Sequence, residues 1–204
     1  MLFDDTYKTI ESTAVGIFRD KGSKFLAYAY PIHSETELKP LLQKLKSEHV
    51  KANHFCYAYR LTPDRSVFRV NDDGEPSGTA GRPILNCLLS EDITNVLMVV
   101  VRYFGGTLLG VPGLISAYKS ASLLAIKESK IITKTINDVY EIYFDYLQMN
   151  EVMKLIKEEN LPVLSQQFDS NCIISFEVRK SYLNQVLGRF DKIENLKTKF
   201  LRTI

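Results

Sequence analysis

The apolar positions of the chain change period several times, and each change marks a predicted element. Between residues 12 and 32 two strand-like runs flank the polar turn Arg19-Asp20-Lys21-Gly22-Ser23, and the second run is rich in aromatic residues. Over 34–49 the period becomes helical, with Leu38, Leu41, Leu42 and Leu45 at i, i+3, i+4 and i+7. Ser34 and Glu37 have capping-box spacing, but Pro40 would lie past the first turn of a helix begun there and remove a ladder bond. The helix therefore starts near Thr36 or is distorted early. Strands are predicted over 54–61 and 67–70, joined by a turn at 62–65. A helix follows over 79–89, and then an almost continuously apolar strand over 95–103, as expected for a strand covered on both faces. A further helix begins near Pro112 and places Leu114, Ala117, Ala121, Leu124 and Ala125 on one face.

After a connector at 131–138 the predicted order is strand 139–147, helix 150–160, strand 161–168, strand 172–179, helix 182–190 and strand 195–203. The turn Asp169-Ser170-Asn171 joins the two middle strands. This βαββαβ order is the ferredoxin-like plan. Two domains are expected, 1–134 and 135–204. In the second, Tyr140, Ile142, Phe144 and Tyr146 alternate inward, as do Ile174, Phe176 and Val178. Glu141, Tyr143, Asp145 and Glu177 then face outward. Carboxylates on an open sheet face repel phosphate, so a protein contact or a purely spacing role suits this domain better than RNA.

Composition narrows the picture. Net charge is only +2 over 204 residues, so global charge makes no case for nucleic acid or a membrane. The first residues lack the pattern of a secretory signal, and the scattered Cys56, Cys87 and Cys172 suit a reducing cytoplasm. No metal spacing is present and no cofactor is expected. His54 and Cys56 lie two apart on one strand, a spacing that fits a packed cysteine better than a nucleophile–base pair.

Seven of the ten glycines fall within residues 71–113, in two groups: Gly74, Gly78 and Gly81, then Gly105, Gly106, Gly110 and Gly113. The second group ends at a predicted helix start, where free N–H groups favour anions. A phosphate site and a tight strand-to-helix connection both fit that pattern. Asp72, Asp73 and Glu75 admit two readings, Mg²⁺ ligands or solvated turn carboxylates. Arg19, Lys21 and Lys24 surround the first turn, and Arg82 and Arg102 sit beside the glycine groups. If these meet in space they form a modest phosphate-binding patch.

The segments KGSKFLAYAYPI (21–32), HFCYAYRL (54–61), NDDGEPSGTAGRPIL (71–85) and VVVRYFGGTLLGVPGLISAYKSAS (99–122) resemble the YigZ/IMPACT family. Asp73, Gly74, Glu75, Pro76, Gly78, Thr79 and Gly81 match one signature, and Arg102 to Gly106, Gly110 and Gly113 match the other. The resemblance implies an α+β protein. Its N-terminal domain would be an α/β sandwich like a small-subunit ribosomal protein domain and domain IV of elongation factor G. Its C-terminal domain would be ferredoxin-like, similar to the last domain of that factor. It also implies a place in translation. The expected function is docking of RNA or the ribosome in the cytoplasm, without catalysis, through Arg19, Lys21, Lys24, Arg82, Arg102, Gly105, Gly106, Gly110 and Gly113. The alternatives are an enzyme with phosphate binding like that of GHMP kinases, and a protein-interaction module.

Overall fold

The computed structural model describes residues 5–169 and 171–204. The chain divides into two compact units, Tyr7–Lys134 and Thr135–Ile204, the latter together with Asp5 and Thr6. Both mix helices with antiparallel sheet.

The chain begins with strand β1 (Thr6–Ile10), then β2 (Ala14–Asp20) and β3 (Ser23–Pro31). Helix α1 (Leu38–Glu48), strands β4 (His54–Leu61) and β5 (Val67–Asn71), helix α2 (Gly81–Ser90), strand β6 (Val96–Tyr103) and helix α3 (Gly110–Glu128) follow. The five-stranded sheet has the order β2-β3-β6-β4-β5, antiparallel throughout. Alternation along the central strand β6 feeds two cores. Val96, Met98 and Val100 pack with residues of α2 and α3, while Leu97, Val99 and Val101 pack with Leu38, Leu41, Leu42 and Leu45 of α1. Residues of both parities are therefore apolar, which is why this strand reads as an unbroken apolar run although its neighbours are antiparallel.

Pro40 is accommodated by a change of helix type. Glu35–Glu37 form a 3-10 turn under a complete Ser34/Glu37 capping box, and α1 starts afresh at Leu38. Pro40 then lies in the first α-helical turn, where its missing N–H has no partner to lose. The predicted connector at 131–138 is instead largely strand: β7 (Ile131–Thr135) pairs with β1, and β8 begins at Asn137. Neither member of the β1–β7 pair has a strong alternating pattern.

The second unit runs β8 (Asn137–Phe144), α4 (Met149–Glu158), β9 (Val163–Phe168), β10 (Cys172–Arg179), α5 (Leu183–Phe190) and β11 (Lys197–Thr203). Its strand order is β11-β8-β10-β9. Ile142, Phe144, Ile174, Phe176 and Val178 face Val152, Leu155, Ile156, Val186 and Phe190, with the Phe176 and Phe190 rings 5.2 Å apart. Strand β8 stops at Phe144, two residues before the expected inward Tyr146, which is 75% exposed. The turn expected at 169–171 includes Ser170, which lies outside the described residues. The other sheet face is less acidic than Glu141 and Glu177 alone suggest. β11 places Lys197 opposite Tyr143 and Lys199 opposite Glu141.

Candidate functional site

The first glycine loop, 71–81, folds around one of its own carboxylates. Asp72 accepts hydrogen bonds from the N–H groups of Gly78 (2.9 Å), Ala80 (3.0 Å) and Gly81 (2.8 Å). The start of α2, an anion-favouring position, is thus met from within the chain. Gly81 is required by crowding, because a Cβ there would stand 2.8 Å from the Asn71 nitrogen. Asp73 is engaged too: its carboxylate accepts from the Phe55 N–H at 2.6 Å. The Thr79 hydroxyl donates to the Pro76 carbonyl, 2.6 Å away. Asp72 therefore caps the start of α2 from within the chain, and Asp73 ties the loop to the start of β4.

Glu75 turns inward from the same loop. Its side chain is 4% exposed and that of Arg102 is 6% exposed, and Arg102 Nη1 donates to Glu75 Oε1 at 2.5 Å. The Tyr118 hydroxyl of α3 donates to the same oxygen at 2.8 Å. The Cys56 thiol lies 3.2 Å from that hydroxyl and 3.0 Å from the Asp72 carbonyl. Burial pushes the Cys56 thiol and the Tyr118 phenol far above their ordinary ranges. Cys56 is thus a fully buried, packed thiol. His54, paired in register with Arg102, donates from Nδ1 to the Asp73 carbonyl at 2.8 Å and holds Nε2 3.9 Å from Glu75 Oε1.

Arg102 consequently does not belong to the expected anion-binding set, since its charge is neutralised inside the protein. Its guanidinium carbon lies 5.4 Å from the Phe25 ring centroid and 5.6 Å from that of Phe104. The Nε atom, buried beside these rings, has no hydrogen-bond partner among the described residues.

The second glycine loop is fastened to the β2–β3 hairpin. Lys21 and Gly22 both have positive φ, 44° and 80°, as a tight two-residue hairpin turn requires. A Cβ on Gly105 would lie 1.9 Å from the Gly22 carbonyl carbon, so the two backbones touch. The Gly105 N–H donates to Ser23 Oγ at 3.1 Å, and the Phe104 N–H donates to Asn53 Oδ1 at 2.9 Å. Gly105 therefore supplies close packing, and its N–H is not free for an anion. Gly106 is exposed at φ 84°, Gly110 starts α3 at φ 71°, and Gly113 packs against Leu109. No side chain caps the start of α3.

Arg19 and Lys21 are exposed and Lys24 is half-buried. Arg19 lies opposite Lys24, which lies opposite Tyr103 on β6. These three cations thus stand at the hairpin tip beside the second glycine loop. Arg82 is exposed on the first turn of α2, without an observed tie to the hairpin. Sequence reasoning missed Asp72 as a cap and Tyr118 as a partner of Glu75. Tyr118, four residues after Leu114, does carry the signal of the buried helix face. It also missed His49, whose ring nitrogens bond Tyr28 and Tyr103, each at 2.8 Å.

Residues 21–126 match the family model described as the Impact N-terminal domain. An IMPACT family member of Haemophilus influenzae is 34% identical over 153 residues, 74% of this chain and 74% of that protein. IMPACT family member YvyE of Bacillus subtilis is 30% identical over 155 residues, 76% of this chain and 70% of the relative. A crystal structure described as that of a hypothetical protein shares the fold, with a TM-score of 0.76 over 97% of this chain and 98% of that one, at 22% identity. The matched segment contains both glycine loops and the hairpin from Lys21 on, and with relatives of this similarity it makes the chain a member of the IMPACT family.

Proposed function

We propose that this protein is a non-enzymatic, cytoplasmic component of translation whose Tyr7–Lys134 unit docks RNA phosphates on the ribosome or its ligands. The place in translation rests on the family resemblance and on the kinship it implies with a ribosomal protein domain and domain IV of elongation factor G. The contact would be made by Arg19, Lys21 and Lys24, with Gly106 and Gly110 allowing close approach of the backbone. One observation carries this reading. Among the described residues these three cations form no ion pair, whereas the buried Arg102 is matched by Glu75. Unpaired surface cations grouped on a rigid turn are suited to phosphate, and they hold it without reading its sequence.

The enzymatic alternative has less support. Asp73 and Glu75, the carboxylates it would need for Mg²⁺, are taken up by a backbone N–H and by Arg102. For the second unit we favour a protein contact, since its sheet face interleaves Lys197 and Lys199 with Tyr143 and Glu141.

The test is the salt dependence of affinity for a labelled single-stranded RNA, read by fluorescence anisotropy. Three phosphate contacts give a slope of log K against log salt of about −2, from about −0.7 per contact on single strands. Salt-insensitive binding, or no binding at low salt, would overturn the reading.

A further inference from the structure

We infer that Phe104 is a base-stacking platform, so that the RNA taken by the hairpin tip is single-stranded; this rests on the docking reading above. Phe104 is 45% exposed, an unusual position for a ring at the end of a central strand. It is held from below. Phe25 is fully buried, Arg102 lies over it, and Phe104 lies over Arg102, with ring-to-guanidinium distances of 5.4 and 5.6 Å. The Glu75 carboxylate fixes the guanidinium between the rings. The Phe104 backbone is pinned separately by its N–H bond to Asn53. The result is a preorganised aromatic ring beside a cationic turn. Arg102 acts here as a positioning residue.

The arrangement also specifies a path. Arg19 and Lys24 lie in register on the sheet face that carries Leu26 and α1. Arg102 lies opposite Phe25, on the face packed by α2 and α3. Lys21 stands at the turn between them, and Gly22 and Gly105 are in backbone contact there. A nucleic acid meeting both the cations and the ring must cross the end of the sheet and turn a base out of its stack. A single strand can do so, because its backbone bends and every base offers a π-face. A base-paired duplex keeps its bases stacked inward and offers only phosphates.

The experiment titrates the full chain with a labelled single-stranded 12-nucleotide RNA of mixed sequence, with its matched duplex, and with a single strand carrying 2-aminopurine. Phe104→Leu keeps an apolar side chain but removes the ring, and Phe104→Trp keeps a ring. The expected result is a loss of about tenfold on the single strand for F104L, at an unchanged salt slope, with duplex affinity unchanged and single-strand affinity restored in F104W. Quenching of 2-aminopurine should accompany binding in the wild type and F104W but not in F104L. Equal single-strand affinity for wild type and F104L, or an equal loss on duplex and single strand, overturns the stacking role and leaves phosphate docking standing. The ring would then be free for a protein contact. Absence of salt-dependent RNA binding by the wild type removes both readings together. Lys21→Ala separates the two, since it should reduce the salt slope and leave 2-aminopurine quenching at saturation unchanged.

Discussion

The two glycine loops look alike as sequence and do opposite things in the fold. The first closes on itself: Asp72 gathers three N–H groups and Glu75 is drawn inward by Arg102 and Tyr118. The second is tied down at Phe104 and Gly105, runs exposed from Gly106 to Leu108, and packs Leu109 on the core before the start of α3, which no side chain caps. A helix N-terminus is open to an outside anion only when the chain does not supply its own. The carboxylates of the first loop, which from sequence admit either a metal or plain solvation, are what close it.

The largest effect should come from breaking the buried pair that ties the first loop to β6. Glu75→Gln leaves the Arg102 charge without compensation and should cost about 3–5 kcal/mol in urea unfolding. The double variant Glu75→Leu/Arg102→Met should recover most of that loss, since paired removal leaves no orphaned charge. If E75Q unfolds like wild type, the pair does not anchor the first loop. Next in size, Gly105→Ala sets a methyl group against the Gly22 backbone and should cost about 3 kcal/mol. Gly106→Ala meets only its positive φ and should cost about 1 kcal/mol. Equal melting shifts for the two would deny that the hairpin and the second loop are joined at Gly105. Asp72→Ala, which returns the first loop's N–H groups to water, should cost about 2 kcal/mol.

How far the sequence reveals all this depends on the range of each contact. The strand β6, the α3 face and the βαββαβ order are legible because their signals repeat within ten or twenty residues. The capping box at Ser34 is legible because both partners lie within one turn. The β1–β7 pair is not, since its partners stand at opposite ends of the first unit and neither strand alternates clearly. Arg102 misleads for the same reason. Its neighbours in sequence are glycines and aromatics, while Glu75 comes from a distant loop. Arg19, Lys21 and Lys24 group on one turn, and that grouping is local.

A smaller effect lies in the second unit. Arg179 and Ser181 hold the Asp5 carboxyl well below the usual carboxylate range. Because this folded-state value is depressed, its stabilisation is complete above the unfolded value near 3.8 and is lost as pH falls below it. Asp5→Asn should therefore flatten the acid limb of the stability–pH curve below about pH 4 and lower the plateau at neutral pH. Parallel curves for the two proteins would contradict the Arg179–Asp5 bond.

The central claim is that phosphate meets the unpaired cations of the hairpin. The direct measurement is the change in salt slope between wild type and Arg19→Ala/Lys21→Ala/Lys24→Ala on the same single-stranded RNA. The account predicts that the triple variant loses about 2 from the slope, about 0.7 for each contact, while Arg82→Ala loses less than one contact. An unchanged slope in the triple variant would contradict it.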